Sequence, residues 1–414
     1  MSGSGKAFFG WRVVAAVFVL AVFGWGLGFY GPPIYLHEIS KSRGWPLGLV
    51  SAAVTVHYLF GALVVASLPR LYARFGLVAV TKAACVLLAL GVLGWASARE
   101  PWQLFAATLL SGAGWAGMGA AAVNALIAPW FTTGRPAALA SAYNGASVGG
   151  ILFSPLWVAA IDRAGFPTAA AAIGLVMIAV IFVLARLYFA KTPAALGIVI
   201  EDSRTGSAQA VTTSQGGPPR PLRANVQFLT LSAGMALGLF AQIGLLAHLF
   251  SLLVPTLGAQ GAGIAAGMAT VAAIAGRTLF GWLMPVGADR RLVACASYGI
   301  QIAGSLAFLA AGGGNVALIL VGVALFGFGI GNATSLPPTI AQVEFSKEDA
   351  ARVVPLIVAG SQATYAFAPA AFGLLREVAG ASPETSAAPA LFVCAAVIQG
   401  LAIIAFLLGR RTRA

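Results

Sequence analysis

Arg277 lies deep in an apolar run, about nine residues from its end, and no Asp or Glu shares that depth. A guanidinium keeps its proton in any protein environment. If the run is buried in lipid, the charge persists at a cost of at least ~2.5 kcal/mol. A permanent cation without a fixed counter-ion is a binding place for a mobile anion, and its planar fork of donors matches a carboxylate. The competing reading is structural: hydrogen bonds to main-chain carbonyls, or a side chain reaching for the membrane rim. Charge counting narrows the first reading. No second Lys or Arg lies deep in an apolar run, so a monocarboxylate fits better than a dicarboxylate.

Other residues at similar depth could complete such a site. Trp25, Trp115 and Phe328 offer apolar surface for the body of a substrate, or ordinary core packing. Tyr143, Asn144, Gln242, Asn332, Gln362 and Tyr365 could hydrogen-bond a carboxylate or hydroxyl. Polar side chains that merely join helices in a membrane contribute ~0.6 kcal/mol apiece. His57, between Thr55 and Tyr58, titrates near neutral pH and is the candidate for carrying a coupled proton. The alternatives are a neutral, hydrogen-bonded ring and coupling through the substrate's own carboxyl group. His248 reads as a gate or packing residue and His37 as a loop residue. Gly26 to Gly31 and Gly112 to Gly117 both match G-x-G-x-x-G, but neither follows a strand. They are close-packing glycines and not a dinucleotide site. Cys85, Cys295 and Cys394 are far apart and form neither a disulfide framework nor a metal site. No cofactor, no metal and no catalytic residue is expected.

The elements that hold these residues are apolar segments. The chain is 60% hydrophobic and 8% charged over 414 residues, far below the ~25% charge of a soluble chain. Its apolar runs reach the length needed to cross a hydrocarbon core of roughly 30 Å. The net charge of +13 sits in short clusters between these runs, without the interleaved aromatics of a nucleic-acid surface. About twelve segments are expected. The first six are roughly 12–36, 46–68, 77–97, 102–130, 136–160 and 167–190. The next six are roughly 225–255, 260–286, 291–311, 315–343, 352–378 and 386–409. Residues 191–224, rich in Gly, Ser, Thr and Pro, read as a cytoplasmic linker between an N-terminal six-helix bundle (1–190) and a C-terminal one (225–414). The expected fold class is therefore an all-α polytopic membrane protein of twelve transmembrane helices in two six-helix bundles. The first run is too long for a cleavable signal.

Placing the N-terminus in the cytoplasm puts most of the 24 Lys and Arg residues on that side. Lys41, Arg43, Arg99, Arg163 and Arg376 fall outside. This bias predicts that both termini are cytoplasmic. Trp11, Trp45, Trp95, Trp102, Trp130, Trp157 and Trp282 fall near predicted interfaces. The halves are weak repeats: Gly112-Ala113-Gly114 in segment four matches Gly327-Phe328-Gly329 in segment ten.

The chain resembles the major facilitator superfamily along essentially its whole length. Within it, the chain resembles bacterial relatives of the monocarboxylate porters and oxalate–formate exchangers. The narrower likeness rests on Trp130-Phe131 followed by Arg135, Ala138, Ala142, Gly145 and Gly149 at the entrance to segment five. It also rests on Thr192-Pro193-Ala194-Ala195-Leu196-Gly197, and on Gly276-Arg277 followed by Gly281. There are departures. Pro69 and Ala73 replace the usual Gly and Asp ahead of Arg74 and Gly76, and Pro285 stands where the second half would carry its Asp. The cytoplasmic charge latch of the superfamily is thereby in doubt. Ala273 replaces the Asp of animal porters, and segment eleven lacks the exchangers' Lys.

The resemblance implies a helix-eight Arg on the substrate carboxylate and a cavity lined by helices one, four, seven and ten. The expectation is a monomeric secondary transporter of a small organic anion, lactate-like or larger, in a bacterial inner membrane. It would be proton-coupled and work by rocking of the two bundles, with Pro32, Pro33, Pro337 and Pro338 as bending places. The alternatives are an anion exchanger, or a drug or metabolite exporter of the same fold in which Arg277 is structural.

Overall fold

The computed structural model describes residues 9–131, 134–197, 222, 225–284, 288–380 and 388–410, and these contain helices and no strand. Most of the expected 191–224 linker lies outside the described residues, as does Pro285. The helices of the first half are α1 (Phe9–Gly28), α2 (Gly31–Arg43), α3 (Leu47–Phe75), α4 (Leu77–Ser97), α5 (Pro101–Met118), α6 (Ala120–Ile127), α7 (Arg135–Ala164) and α8 (Phe166–Leu184). Those of the second half are α9 (Val226–Leu283), α10 (Arg290–Ala311), α11 (Val316–Ile330), α12 (Leu336–Glu344), α13 (Lys347–Tyr365), α14 (Ala368–Val378) and α15 (Pro389–Leu408). Lipid offers the backbone no partners, so each span must satisfy its own N–H and C=O groups, and only helices do so within one segment.

Among the described residues ten stretches are long and apolar enough to cross a membrane, and α11 is a shorter apolar helix. One of the ten, α9, has 58 residues, roughly 87 Å at 1.5 Å per residue, enough for two crossings. Its one non-helical residue is Gly258, at φ 69° and ψ 167°, a conformation that costs glycine little and other residues much. Segments seven and eight are thus joined through a single glycine, and the total is twelve spans. Several spans are broken inside. Pro32 and Pro33 deprive the end of α1 of two donors, and the helix is interrupted at Phe29–Tyr30. Gly119, extended at φ −85° and ψ −152°, separates α5 from α6. Pro337 and Pro338 begin α12 after a turn at 331–335.

The described residues form two compact units. The first comprises residues up to Tyr30, 60–150 and 167 onward into the linker. In it α4 and α5 pack through small residues: a Cβ on Gly114 would strike the backbone of Leu88, and one on Gly117 would strike Ala84. This is the close packing expected of the Gly112–Gly117 stretch. Trp95 adds a hydrogen bond from Nε1 to Ser111 Oγ at 3.0 Å across the same pair.

The second unit comprises residues 31–59, 151–166 and 220 onward. It is built around α9, with a core that includes Leu231, Met235, Tyr298, Ile340 and Phe406. Parts of three first-half spans belong to it. Gly263 of α9 abuts the backbone at Ser154 and Pro155 of α7.

Trp95, Trp130 and Trp157 are buried, while Trp11, Trp102 and Trp282 are the exposed indoles. Trp95 finds its hydrogen-bond partner in Ser111. One sequence expectation changes. His37 is not in a loop: α2 runs on to Arg43 and buries it.

Candidate functional site

Arg277 projects from the second crossing of α9, six residues before the helix ends at Leu283, so it lies nearer the rim than the sequence reading placed it. Ile264, Met268, Val271, Leu279 and Trp282 form an exposed apolar stripe on this crossing. At 3.6 residues per turn, Arg277 stands on the other side of the helix, roughly 120–180° from Ile264, Met268, Val271 and Trp282. It is nonetheless exposed. Its neighbours on that side, Thr270 and Ala273, are buried. The guanidinium therefore points away from the apolar stripe into accessible space.

Its Nε donates to the carbonyl oxygen of Gly331 at 3.1 Å. That carbonyl is available because the Ser335 amide, its donor in a continuous helix, donates to Asn332 O instead. The helices approach closely here. A Cβ on Gly276 would strike Phe328 O, and one on Gly331 would strike Ala273 O and the Arg277 amide. Guanidinium has five N–H donors; the other four have no acceptor among the described residues. No carboxylate lies within ion-pair distance of Arg277 among them either.

Asn332 follows Gly331 directly and is buried, with Nδ2 lacking a partner among the described residues. Gln242 is also buried, with Oε1 in the same condition. Phe328 packs against Phe280, centroids 5.9 Å apart. Elsewhere in this unit Gln362 and Tyr365 hydrogen-bond through their side chains. Tyr365 meets the Tyr58 ring at 6.4 Å, and Tyr58 meets the His57 ring at 5.1 Å. His57 is buried.

The first unit gathers Trp25, Trp115 and Tyr143. The indoles meet edge to face at 4.9 Å, and Trp25 meets Tyr143 at 6.0 Å. The Tyr143 hydroxyl accepts from Asn124 Nδ2 at 2.7 Å and donates to Ala120 O at 3.2 Å. Asn124 also donates to Ala120 O at 2.9 Å. Sequence reasoning missed Asn124; its one signal was an amide in the otherwise apolar stretch Ala120–Ile127. Asn144 is exposed and makes no hydrogen bond among the described residues.

Two further arginines carry chemistry that the sequence reading did not assign. Arg376, placed on the outside near the end of the expected eleventh segment, is 1% exposed. The helix α14 continues to Val378, and Arg376 Nη1 donates to Ser251 Oγ at 2.6 Å. Arg277 is thus not the only cation within an apolar span, and Arg376 is the more enclosed of the two. The two are well separated along α9: Ser251 lies roughly 10 Å before Gly258 and Arg277 roughly 28 Å beyond it.

Arg291, also 1% exposed, pairs bidentately with Glu344, Nε–Oε1 2.7 Å and Nη2–Oε2 2.8 Å. It further donates to Thr230 Oγ1, Phe406 O and Gln227 O. All its donors are used. The second half therefore holds a buried charge pair at the start of α10, where the superfamily's usual Asp after segment eight is missing. Beside it Asp289 caps α10, accepting from the Arg291 amide, and pairs with Arg410. Burial pushes the Asp289 carboxyl up, but the Arg410 hydrogen bond and the Arg291 and Leu292 amides outweigh it and hold it below the usual carboxylate range.

The three cysteines are free. Among the described residues no cluster of His, Cys, Asp and Glu could hold a metal ion.

Comparison with known proteins fits this architecture. No curated protein sequence matches the chain. The nucleoside transporter NupG superposes with a TM-score of 0.73 at 13% identity, covering 97% of this chain and 100% of that one. A bacterial homologue of the human lysosomal transporter Spinster, in an inward-facing and occupied conformation, gives 0.69 at 14% identity, covering 99% and 100%. At such identities the likeness is one of fold. The Major Facilitator Superfamily model matches residues 14–369, and with twelve apolar spans the chain belongs to the Major Facilitator Superfamily of membrane transporters.

Proposed function

We propose that this transporter carries a small organic anion, a monocarboxylate of lactate size or larger, by proton-coupled alternating access as a monomer in a bacterial inner membrane with both termini cytoplasmic. One observation carries the reading. Arg277 faces away from the exposed apolar stripe, uses one donor on Gly331, and has four N–H groups without a protein acceptor among the described residues. Asn332 Nδ2, next in the chain to Gly331, adds the two N–H groups of an unpartnered amide. Unused donors fit a ligand made of acceptors alone, which a carboxylate is.

A second reading has its own observation. The bond from Arg277 to Gly331 O, with the short distance to Leu283, is what a structural arginine holding two helices together would show. On that reading the chain is an exporter of apolar or neutral compounds. Uptake of labelled mono- and dicarboxylates into proteoliposomes under an inward proton gradient separates the two. The carrier reading requires saturable monocarboxylate uptake that Arg277→Gln weakens strongly. If no carboxylate moves, the exporter reading stands; if Arg277→Gln moves it as well as the wild type, Arg277 is structural and the site lies elsewhere.

A further inference from the structure

The second unit contains a buried polar cluster that the substrate reading does not use. His37 and Ser40 come from α2, Ser51 from α3, His248 and Ser251 from α9, and Arg376 from α14. Each is at most 5% exposed. Their elements belong to opposite halves of the sequence. The join is closed by two hydrogen bonds from main-chain amides to side chains: Gly48 N donates to Glu377 Oε2 at 2.9 Å, and Ala370 N to Thr55 Oγ1 at 3.1 Å. The Ser51 side chain and His248 Cε1 fill the space over Gly373.

His248 fixes its own tautomer. Its Nε2 lies 3.1 Å from Pro369 O. A carbonyl only accepts, so Nε2 carries the hydrogen and the neutral ring leaves Nδ1 as a bare acceptor. That Nδ1 is buried without a partner among the described residues, as are His37 Nδ1 and Ser40 Oγ. The His37 ring stands edge-on to Phe250, 5.4 Å between centroids. Arg376 lies within electrostatic reach of both imidazoles, and Lys41 within reach of His37. The remaining charges around the join are Glu38 of α2, which interacts with Lys41 and with Asp162 of α7, and Glu377 of α14 on the Gly48 amide. A proton added to His248 would create a second cation beside Arg376, with no acceptor for its new N–H. Water can satisfy that N–H only if the join parts.

We propose that His248, seconded by His37, is a proton-binding site that keeps this join shut only while neutral, so that acid on that side parts α2 and α3 from α9 and α14. Protonation and opening are then linked equilibria: whatever binds the parted form better shifts the population toward it. The proposal supplies a place for the proton in the coupling put forward above and rests on that part of the reading. It does not depend on the substrate's being an anion.

The test follows the labelling of Ser51→Cys by a maleimide in proteoliposomes without substrate. Cys85, Cys295 and Cys394 are replaced by Ala, and each rate is normalised to the unfolded chain at the same pH. Normalised labelling is expected to rise severalfold from about pH 8 to about pH 5.5. His248→Gln, which can still donate to Pro369 O but takes no proton, should stay flat. Arg376→Gln removes the opposing cation and should move the rise to higher pH by about one unit, an outcome that decides the matter if His248→Gln does not fold. A flat wild type, a rise that survives unchanged in His248→Gln, or a midpoint that does not move upward in Arg376→Gln would overturn the proposal. Because no substrate is present, pH-dependent labelling without carboxylate uptake would overturn the substrate reading alone. Flat labelling with intact uptake would overturn the proton site alone.

Discussion

Arg277 donates from Nε to the main-chain oxygen of Gly331, 3.1 Å away and 54 residues further along the chain. The bond depends on the break between α11 and α12, where the Ser335 amide donates to Asn332 O and leaves Gly331 O without its helical donor. The break leaves a carbonyl for the guanidinium and also fixes which way the rest of it points. One side chain thereby joins two helices and keeps most of its donors for a ligand.

Replacing Arg277 separates those roles. Arg277→Lys keeps a charge but loses the planar fork, and Arg277→Gln loses both. Charged hydrogen bonds contribute about 1.5–3 kcal/mol each, so carboxylate affinity should fall on the order of 10- to 100-fold in Arg277→Gln, with Arg277→Lys between it and wild type. Uptake kinetics at saturating and sub-saturating substrate measure this. Equal loss of thermal stability and uptake in both variants would mark the arginine as structural.

Gly331 tests the same contact from its other end. A Cβ there would meet Ala273 O and the Arg277 amide, and neither backbone atom can move aside alone. Gly331→Ala should lower thermal stability in detergent, by about 1–3 kcal/mol as overpacking does, and should weaken uptake with it. A variant as stable as wild type would mean that α9 and α11 are not held at this distance.

Much of this was legible in the sequence because lipid leaves few choices. Twelve apolar runs meant twelve helical spans, and Pro337 and Pro338 marked a break. Arg277 stood out because a charge in an apolar run is expensive wherever it points. The pairs that decide the rest are separated by too much chain to be read. Arg291 and Glu344 are 53 residues apart; each ends or begins a predicted segment and looked solvated there. Arg376 was placed outside because segment eleven was expected to end near it, whereas α14 carries it inward onto Ser251. The boundary between segments seven and eight was legible, falling between 255 and 260, and Gly258 within that gap is the one residue of unusual φ.

The buried Arg291–Glu344 pair predicts an asymmetric outcome. Removing one partner leaves the other uncompensated, so Arg291→Met should destabilise the second unit by about 3 kcal/mol or more, as in other broken buried pairs. Replacing both, Arg291→Met with Glu344→Leu, should recover much of that loss. Thermal unfolding of the single and double variants gives the coupling energy. A double variant no better than the single would mean that the contacts to Thr230, Gln227 and Phe406 matter more than the ion pair.

Asp289 and Arg410 should give a smaller, pH-dependent effect. The Asp289 carboxyl is held below the usual carboxylate range, so its contribution is present above the unfolded value of about 4 and is lost as pH falls through the folded value. The partners are 31% and 39% exposed, which limits the pair to ~1 kcal/mol or less and makes it sensitive to salt. Asp289→Asn should therefore cost little at neutral pH and remove the acid-side slope of stability. An unchanged slope would assign it to other carboxylates.

The aromatic group in the first unit predicts selectivity. Trp25 and Trp115 meet edge to face at 4.9 Å, and Tyr143 is held against Trp25 by its bonds to Asn124 and Ala120 O. If these rings receive the apolar body of the substrate, Trp115→Ala should raise the KM for carboxylates with long or branched tails and barely change it for the shortest. Each methylene that loses contact removes about 0.8 kcal/mol, roughly fourfold in affinity. Asn124→Ala frees the Tyr143 hydroxyl without touching the indoles and should give a weaker form of the same shift. A KM increase independent of tail length would instead show that the rings set the helix packing of this unit. Trp115 would then be a core residue, in keeping with its contact over Gly28.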